Sequence, residues 1–564
     1  MTTKRFVRAC VIWFGAWLCL ANFPNLVIRS AMAQGGISLL GGPKGLVRTT
    51  TGILPEGIMV QLIAADNNIR TTVYTNGEGR YEFPKLERGV YTLRIALPRE
   101  YKPYVKESLQ IEGGTQQLEE ITLERVTTSD LLPPTPEIAA QLTGAEWMLN
   151  LPGTAEEKMV FHHNCSSICH DYQLIFRNRF DEHGWRLMVD RMINYQGTTL
   201  INRMADADTP GAQGRSGLPR ETEVDIMAGW LAKVRGPESK DKPFYVLPRP
   251  RGKATRVIIT EFEVPHVMQI LHSGQGDSKG NFWYPSQRTP YVGKLDPRTG
   301  KVTEYRLPST PGALPGIQSM YFDENGILWV SENWSHKLTS IDPKTGEFKS
   351  VSIETTTPFN SPGFANFALH PDGSIWLTRG GPAKFDPNTG KMVKQWPFKK
   401  MRGTYDSTIS KDGRFWSGGQ WPGNLVGMLD IQTGELWEAE TATPLSGPAK
   451  GGFDWEGNSW FGGRGGALIK MDGKTKRASE YYPPTRPYIA FYDAMPDKNG
   501  EVWSPELQGG RVARFNPRTD QWVEYVLPEP HAFNRRTYID SSTNPVTVWY
   551  GDDNSYVVRI QPLE

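Results

Sequence analysis

Two cysteines followed by a histidine are the residues of this chain whose types and spacing point most directly to a defined chemistry. They lie in the run His162-His163-Asn164-Cys165-Ser166-Ser167-Ile168-Cys169-His170, which has the form C-x-x-x-C-H. In the usual C-x-x-C-H sequence, the two thiols bond covalently to a haem and the adjacent imidazole ligates its iron. This run has one extra residue between the cysteines. It predicts haem c attached through Cys165 and Cys169, with His170 as the proximal ligand.

Two other chemistries remain open for the same residues. Cys165 and Cys169 can form a disulfide, which an oxidising compartment favours. A third possibility is a metal site, although the sequence offers no clear fourth ligand for it. Its ligands would come from His162, His163 and His170.

A second set of polar residues recurs at fixed distances from tryptophans in the C-terminal half. Glu332, Arg379, Glu506 and Asp552 each follow a Trp by three residues. Two Tyr-Asp pairs occupy equivalent earlier positions, namely Tyr405-Asp406 and Tyr492-Asp493. Converging polar groups of this kind can bind a small polar ligand or a divalent metal. We therefore take as candidate catalytic residues Glu332, Glu506, Tyr405, Asp406, Tyr492, Asp493 and Arg379, with Glu332 and Glu506 as candidate metal ligands.

The C-x-x-x-C-H run lies in a helical stretch, residues 137–236. Helix-like segments occur near 137–149, 173–195 and 220–234. In the last of these, one helical face is apolar at spacings of three, four and three residues, formed by Val224, Met227, Leu231 and Val234. The pattern predicts a small helical domain.

Two segments of this stretch, Trp185–Met192 and Glu223–Ala232, resemble the later helices of c-type cytochromes, notably the haem domains of quinohaemoprotein amine dehydrogenases. The resemblance implies a cytochrome c-like domain in which Trp230 packs as the usual aromatic residue. Met192 is then the candidate distal ligand of the iron, in competition with Met204, His183 and an open position.

A tryptophan repeat organises residues 253–564. Its seven units are Gly280-Asn-Phe-Trp283, Gly326-Ile-Leu-Trp329, Gly373-Ser-Ile-Trp376, Gly413-Arg-Phe-Trp416, Gly457-Asn-Ser-Trp460, Gly500-Glu-Val-Trp503 and Val546-Thr-Val-Trp549. A period of 40 to 47 residues is typical of β-propeller blades, so we expect seven blades. The last unit lacks an outer strand, and Ile259–Pro265 has the pattern to supply it. The tryptophans are expected to pack between blades.

This repeat resembles the streptogramin (virginiamycin B) lyase family of seven-bladed propellers, in which the blade reads Trp-Phe-Thr-Glu. The resemblance implies a catalytic histidine eleven residues before a blade Trp, with a metal nearby. In blades two to seven these positions hold Gln318, Ala365, Tyr405, Ala449, Tyr492 and Tyr538. His272 alone occupies the position, in the first blade. General-base catalysis near neutral pH needs a group that titrates there, so lyase activity is in doubt.

The N-terminal segment, residues 36–126, alternates β-branched and polar residues between turns, which predicts a small β-sandwich. Its strand-like runs begin at Val60, Thr72, Tyr91 and Glu120. The stretch Thr75-Asn-Gly-Glu-Gly-Arg-Tyr-Glu-Phe-Pro-Lys-Leu-Glu-Arg-Gly-Val-Tyr-Thr-Leu resembles the carboxypeptidase regulatory-like domain. That resemblance implies a spacer or adhesion module and allows a glycan as ligand.

Residues 1–33 read as an export signal. Lys4, Arg5 and Arg8 precede an apolar run, and Ala31-Met32-Ala33 fits a cleavage site. We expect cleavage after Ala33 and a periplasmic location, the alternative being an uncleaved anchor. Cys10 and Cys19 leave with the signal, so the motif cysteines are the remaining pair of the mature chain.

The composition argues against a nucleic-acid-binding protein and favours a β-rich fold. The chain has 564 residues, with 63 Lys+Arg against 61 Asp+Glu, so no basic surplus indicates a nucleic-acid partner. The 57 Gly, 43 Pro and 18 Trp favour many short strands and turns. We expect a mainly β protein with an N-terminal sandwich, a helical cytochrome c-like domain and a seven-bladed propeller.

For function, the main hypothesis is electron transfer coupled to oxidation of a small ligand at the propeller mouth, by which we mean one opening of the central channel. A periplasmic redox partner would exchange the electrons. The alternatives are a metal-dependent C–O lyase and a non-catalytic module that binds carbohydrate or envelope proteins.

Overall fold

The computed structural model describes residues 39–126, 139–165, 170–195, 215–240, 245–267, 269–308, 315–353, 366–378, 380–485 and 488–564. The expected export signal, Cys169, Arg379 and Met204 lie outside these ranges. Residues 39–564 belong to one compact unit. None of the helices in the described ranges combines the length and apolar composition needed to cross a membrane.

The N-terminal domain consists of two small sheets with one apolar core. Its strands are β1 (Pro43–Thr49), β2 (Met59–Ala64), β3 (Arg70–Tyr74), β4 (Arg80–Glu82), β5 (Gly89–Ile95), β6 (Val105–Ile111), β7 (Gln116–Gln117) and β8 (Ile121–Leu123). Strand β1 pairs with β4, β7 and β8, whereas β3, β2, β5 and β6 form the second sheet in that order. Val47 and Ile121 of the first sheet pack with Val60 and Leu93 of the second. The predicted N-terminal β domain is confirmed.

A tight turn before β4 requires a glycine. Gly79 has a φ of +70°, and a Cβ at this position would lie 2.5 Å from the carbonyl oxygen of Val47. Asn76 caps the same turn, because its side-chain oxygen accepts hydrogen bonds from the backbone N–H groups of Glu78 and Arg80.

The described residues of the middle module, which we call the helical module, form five α-helices. They are α1 (Gly144–Asn150), α2 (Ala155–Cys165), α3 (Gln173–Phe176), α4 (Glu182–Tyr195) and α5 (Arg220–Arg235). The apolar face predicted for α5 is confirmed, since Val224, Met227, Leu231 and Val234 are all buried. Helix α2 was missed by the sequence analysis because its residues show no clear apolar face. It packs on α5, with the rings of Phe161 and Trp230 5.1 Å apart.

Seven antiparallel sheets, which we call blades 1 to 7, make up the propeller-like region. Blade 1 comprises β10 (Gln275–Gly276), β11 (Phe282–Pro285), β12 (Tyr291–Asp296) and β13 (Lys301–Arg306). Blade 2 comprises β14 (Ile317–Phe322), β15 (Leu328–Glu332), β16 (Lys337–Ile341) and β17 (Phe348–Ser352). Blade 3 comprises β18 (Phe367–Leu369), β19 (Ile375–Thr378), β20 (Pro382–Asp386) and β21 (Lys391–Gln395).

The remaining blades follow the same plan. Blade 4 comprises β22 (Thr408–Ile409), β23 (Phe415–Gly419), β24 (Leu425–Asp430) and β25 (Leu436–Glu440). Blade 5 comprises β26 (Pro448–Phe453), β27 (Ser459–Gly463), β28 (Leu468–Met471) and β29 (Ala478–Tyr481). Blade 6 comprises β30 (Ala490–Phe491), β31 (Met495–Pro496), β32 (Val502–Leu507), β33 (Arg511–Asn516) and β34 (Gln521–Val526). Blade 7 comprises β35 (Asn534–Asp540), β36 (Thr547–Asp552), β37 (Tyr556–Pro562) and β9 (Val257–Glu263).

The blade tryptophans are packing residues, as the sequence predicted. Five of the seven are almost fully buried, namely Trp283, Trp376, Trp416, Trp460 and Trp503. Several indole N–H groups donate to an aspartate six residues earlier, as from Trp460 to Asp454 at 2.8 Å. In blades 1, 2, 5 and 6 this hydrogen bond ties the indole to the preceding turn and so holds the hairpin of that repeat in place.

Strand β9 closes the ring of blades and also joins it to the N-terminal domain. It pairs with β37 from Tyr556↔Glu263 to Pro562↔Val257, which confirms the strand predicted to complete the last blade. Its other edge pairs with β3, from Arg70↔Glu261 to Thr72↔Ile259. One eight-stranded sheet therefore runs from blade 7 into the sandwich. Nothing in the residue pattern predicted this second pairing.

Side chains reinforce this junction. The amide nitrogen of Gln61 donates to Glu261 at 3.1 Å, and Arg70 lies 2.9 Å from the carboxylate of Glu529. Met59 and Tyr74 of the sandwich share an apolar cluster with Ile259.

We expect Ile259→Ala to weaken the sandwich and the propeller together. The substitution empties a fully buried site in the shared strand, so the free energy of unfolding should fall by about 2–5 kcal/mol. Urea unfolding followed by tryptophan fluorescence reports the propeller. Hydrogen exchange in β2 and β5 reports the sandwich, which contains no tryptophan.

Thr303→Ala on the exposed face of β13 is the control and should leave both measurements within about 0.5 kcal/mol of wild type. A fall in propeller stability with unchanged protection of β2 and β5 would contradict a shared folding unit.

Candidate functional site

Six blades place a polar side chain ten residues before their tryptophan, on or beside the inner strand. These residues are Ser273, Ser319, Asn366, Asp406, Lys450 and Asp493, and all are buried. Blade 7 contributes Arg536 and Thr537. We call these eight residues the channel ring, since inner strands converge on the axis of a propeller.

The charged members of the channel ring are paired with one another. Arg536 Nη1 donates to Asp406 Oδ2 at 2.9 Å, and Lys450 Nζ lies 3.9 Å from Asp406 Oδ1. Lys450 also donates to the side chain of Asn366. Asp493 accepts a hydrogen bond of 2.9 Å from the backbone N–H of Thr537. Buried charges persist only with such partners.

Burial shifts two of these groups towards neutrality. It lowers the pKa of Lys450 to about 7, although the carboxylate of Asp406 acts in the opposite direction. Burial likewise raises the pKa of Asp493 to about 7, against the effect of the Arg536 guanidinium. Both groups therefore change charge near neutral pH.

A chain of three hydrogen-bonded side chains lies beside the channel ring. The hydroxyl of Tyr492 is 2.6 Å from Nε2 of His272, and the hydroxyl of Tyr405 is 2.6 Å from that of Tyr492. The three residues come from blades 6, 1 and 4, so they meet at the channel axis. His272 and Tyr492 are fully buried, whereas Tyr405 is half-buried. We call them the Tyr–Tyr–His relay.

The proton positions in the relay follow from its neighbours. Nδ1 of His272 is 3.1 Å from the carbonyl oxygen of Gln318, which only accepts, so Nδ1 carries a proton. Burial, and then the cations of Lys450 and Arg535, hold the pKa of His272 well below its ordinary value. The imidazole is therefore neutral, and its Nε2 accepts the proton of Tyr492. Tyr492 oxygen then accepts from Tyr405.

Arg464 and Trp421, both buried, lie at the Tyr405 end of the relay. The guanidinium carbon of Arg464 lies 4.1 Å from the ring centroid of Tyr492 and 4.9 Å from that of Trp421. Arg464 also hydrogen-bonds to the hydroxyl of Tyr492. The rings of Tyr405 and Trp421 meet edge to face at 5.2 Å. Tyr405, Trp421 and Arg464 thus line the propeller mouth.

Buried amide side chains without hydrogen bonds occur in blades 7, 1 and 2. Among the described residues, Gln269, Asn333 and Asn534 make no side-chain hydrogen bond although each is buried. Buried amides normally have partners, so these groups are available to a polar ligand or to ordered water.

The helical module sits over the propeller mouth. Tyr172 N and Ala145 N donate to the side chain and backbone of Gln508 in blade 6, at 2.9 and 2.8 Å. Further contacts reach blades 4 and 5. His162 hydrogen-bonds to the backbone of Arg464, and the Arg215 guanidinium lies 5.7 Å from the ring of Trp421. The charges of Arg288 in blade 1 and Asp553 in blade 7 act on His170.

The predicted haem-attachment residues lie in this covering segment. Cys165 is the half-buried last residue of α2, and Cys169 is outside the described residues. Nδ1 of His170 is 3.0 Å from the carbonyl oxygen of Asp171, and burial lowers the pKa of this imidazole. His170 is therefore neutral, with the lone pair on Nε2. Nδ1 of His163, also buried, makes no hydrogen bond. Met192, the candidate distal ligand, is 41% exposed on α4.

The two glutamates predicted as metal ligands lie on strands of different blades, Glu332 in blade 2 and Glu506 in blade 6. Glu332 is buried and accepts hydrogen bonds from Ser335 and Thr339 of its own hairpin. Glu506 is buried in blade 6, 3.9 Å from Arg511, and burial raises its pKa well above the ordinary value. In the described ranges, no three His, Cys, Asp or Glu side chains are grouped so as to hold a metal ion.

Unlike the two glutamates, the residues of the two predicted Tyr-Asp pairs lie close together in the structure. Tyr405 and Tyr492 are in contact through the relay, and Asp406 and Asp493 both lie in the channel ring. Trp421 was missed by the sequence analysis, because it precedes a proline in a hairpin and belongs to no repeat. His272 had been noted only through its position eleven residues before Trp283, which is the same position that Tyr405 and Tyr492 occupy in their blades.

Comparison with known proteins gives one match to a family model and a set of similar solved structures. Residues 44–124 match the carboxypeptidase regulatory-like domain. A streptogramin B lyase is similar in structure, with a TM-score of 0.48 and 19% identity, over 55% of this chain and 99% of that chain. A selenomethionine-substituted virginiamycin B lyase from Staphylococcus aureus has a TM-score of 0.46 and 19% identity, over 54% and 99%. No sequence among the curated proteins matches this chain. The cytochrome c-like domain stays a prediction.

We expect the stability of the protein to rise with pH above about 7 through Lys450. Its folded-state pKa of about 7 lies below its unfolded value of about 10.4. The unfolded chain therefore binds more protons in this window, and the free energy of unfolding gains up to about 1.4 kcal/mol per pH unit. Urea unfolding from pH 7 to 10 should show this slope, and Lys450→Met should remove it.

Lys474→Met makes the same replacement in an exposed turn and should keep the wild-type slope. An identical pH slope in wild type and Lys450→Met would show that Lys450 does not lose its proton on folding.

Proposed function

We propose that this is an exported, periplasmic redox protein that binds a small polar ligand at the propeller mouth and carries haem c in the helical module. Oxidation of the ligand would deliver electrons to the haem and then to a redox partner. The observation that carries the proposal is the position of His162, three residues before Cys165, against Arg464 of the mouth. His170 faces Arg288 of blade 1 and Asp553 of blade 7.

The residues present fit such a haem. Cys165 and Cys169 would hold it covalently, and His170 would ligate the iron. A proximal histidine needs a neutral ring whose other nitrogen donates to a carbonyl, and His170 has this arrangement with Asp171. When bound, a haem supplies one-electron transfer. The chain itself positions the imidazole and limits water around it, because His170 is half-buried.

The mouth favours a ligand with both a polar and a flat surface. Trp421 and Tyr405 offer aromatic faces, and Arg464 supplies a buried positive charge. The unpartnered amides of Gln269, Asn333 and Asn534 are available to hydroxyl or carbonyl groups. These features support a small polar ligand, and a negatively charged one suits the guanidinium best.

The alternative of a metal-dependent lyase has less support. Glu332 uses its carboxylate within its own hairpin, and the raised pKa of Glu506 favours the protonated acid, which is a poor metal ligand. Recognition of carbohydrate by the N-terminal domain remains compatible with the redox proposal, since the two would use different modules.

We expect matured protein to carry one covalently bound haem. A haem stain should survive denaturing electrophoresis, and the intact mass should exceed that of the processed polypeptide by one haem. Cys165→Ser removes one of the two thioether links and should weaken the stain, and the double variant Cys165→Ser/Cys169→Ser removes both links and should lose it.

Met159→Leu changes an exposed residue of the same helix and should keep the full stain. The mass of the bare polypeptide, two hydrogens lighter through a Cys165–Cys169 disulfide, would refute the redox function.

A further inference from the structure

The Tyr–Tyr–His relay connects the propeller mouth with a buried base. We propose that Tyr405 accepts a proton from a hydroxyl group of the bound ligand, and that Tyr492 and His272 pass this proton inward. Tyr405 is then a catalytic residue, while Tyr492 and His272 act through it. The proposal extends the ligand site of the proposed function, and it stands whether or not haem is attached.

The geometry sets the direction of transfer. Because a carbonyl oxygen holds the Nδ1 proton of His272, Nε2 is the vacant basic position of the chain. Tyr492 directs its proton to Nε2, and Tyr405 directs its own to Tyr492, both over 2.6 Å. The hydroxyl proton of Tyr405 is therefore engaged, and its oxygen lone pair is left for a donor in the mouth. A ligand hydroxyl is such a donor.

Every proton in this transfer is accounted for without a further reactant. The ligand O–H bond breaks, and its proton forms a new O–H bond with Tyr405. The former Tyr405 proton moves to Tyr492, and the former Tyr492 proton moves to Nε2 of His272. The products are a ligand oxyanion and an imidazolium, with both tyrosines again neutral.

The surrounding charges select the kind of hydroxyl. Charged and titratable groups face the relay from blades 4, 5, 6 and 7, namely Asp406, Lys450, Arg464, Asp493, Arg535 and Arg536. The cations oppose a positive charge on His272, so the histidine is a weak base towards an uncharged ligand. The same cations stabilise an oxyanion at the mouth. An acidic hydroxyl satisfies both conditions, which points to a phenol or an enol rather than a simple alcohol.

The aromatic lining fits the same class. Trp421 and Tyr405 meet edge to face, and the Arg464 guanidinium lies over the rings of Tyr492 and Trp421. A planar phenol or enol can contact these faces while its hydroxyl reaches Tyr405.

The test uses 4-fluorophenol, whose ¹⁹F resonance distinguishes phenol from phenolate. The full-length mature protein is titrated with the probe under reducing conditions, so that any haem iron is ferrous. We expect saturable binding of the probe. The acid dissociation constant of the bound probe should exceed that of the free probe by about tenfold or more, which means that its pKa is lower by about one unit or more. Tyr492→Phe keeps the cations and breaks the relay, so the constant should fall to about one third of the wild-type value or less, while the cations hold it above the free value.

Tyr405→Phe should have the same effect as Tyr492→Phe and leaves the buried Tyr492–His272 pair intact, so it serves if Tyr492→Phe does not fold. Tyr538→Phe removes a hydroxyl from the equivalent position of blade 7, outside the relay, and should behave as wild type. The proposal is overturned by absence of saturable binding, by a bound probe that stays neutral, or by equal ionisation in wild type and Tyr405→Phe. Cys165→Ser should give the wild-type result. A failure of the haem proposal can therefore be distinguished from a failure of the relay proposal.

Discussion

Strand β9 is the element on which the geometry of the whole molecule depends. A ring of blades needs its first and last strands in one sheet, because otherwise two edges with unpaired backbone groups remain. Here the strand that closes blade 7 through β37 has its second edge covered by β3 of the sandwich. Closure fixes the radius of the ring, and with it the distance at which side chains from opposite blades meet. The N-terminal domain therefore shares a hydrogen-bonded sheet with the propeller.

The closed ring explains the buried charges at its axis. Asp406, Lys450 and Arg536 come from three blades, and each is tolerated in the interior because the others are within ion-pairing distance. Such a network is costly to desolvate and adds little net stability compared with apolar packing. Its proposed role is electrostatic, since it surrounds the Tyr–Tyr–His relay with charges that favour an oxyanion at the mouth.

Under the haem proposal, the helical module would bring a second chemistry to the same opening. Gln508 anchors α1 and the segment before α3 to blade 6, and the residues around Cys165 then lie over Arg464 and Trp421. A proton acceptor below the ligand and an electron acceptor above it would suit the oxidation of an acidic hydroxyl compound. The two proposals are independent, since the relay belongs to the propeller and the haem ligands to the helical module.

Features that depend on local residue pattern were predictable from the amino-acid sequence. The tryptophan period fixed the number of blades, alternation identified the closing strand, and the apolar face of α5 followed from helical spacing. The sequence also marked Tyr405, Tyr492 and His272 as equivalent blade positions, without joining them. Helix α2 was not predicted, because it is buried by packing on α5 although its own residues show no periodic apolar face.

Which of these positions meet depends on the three-dimensional arrangement of the blades. His272 and Tyr492 are 220 residues apart in the chain, and Tyr405 and Tyr492 are 87 apart, yet each pair is within hydrogen-bonding distance. The pairing of β3 with β9 and the placement of the helical module over the mouth are likewise contacts between distant segments. Such contacts depend on the complementarity of two surfaces, and the residue spacing within either segment carries no information about it.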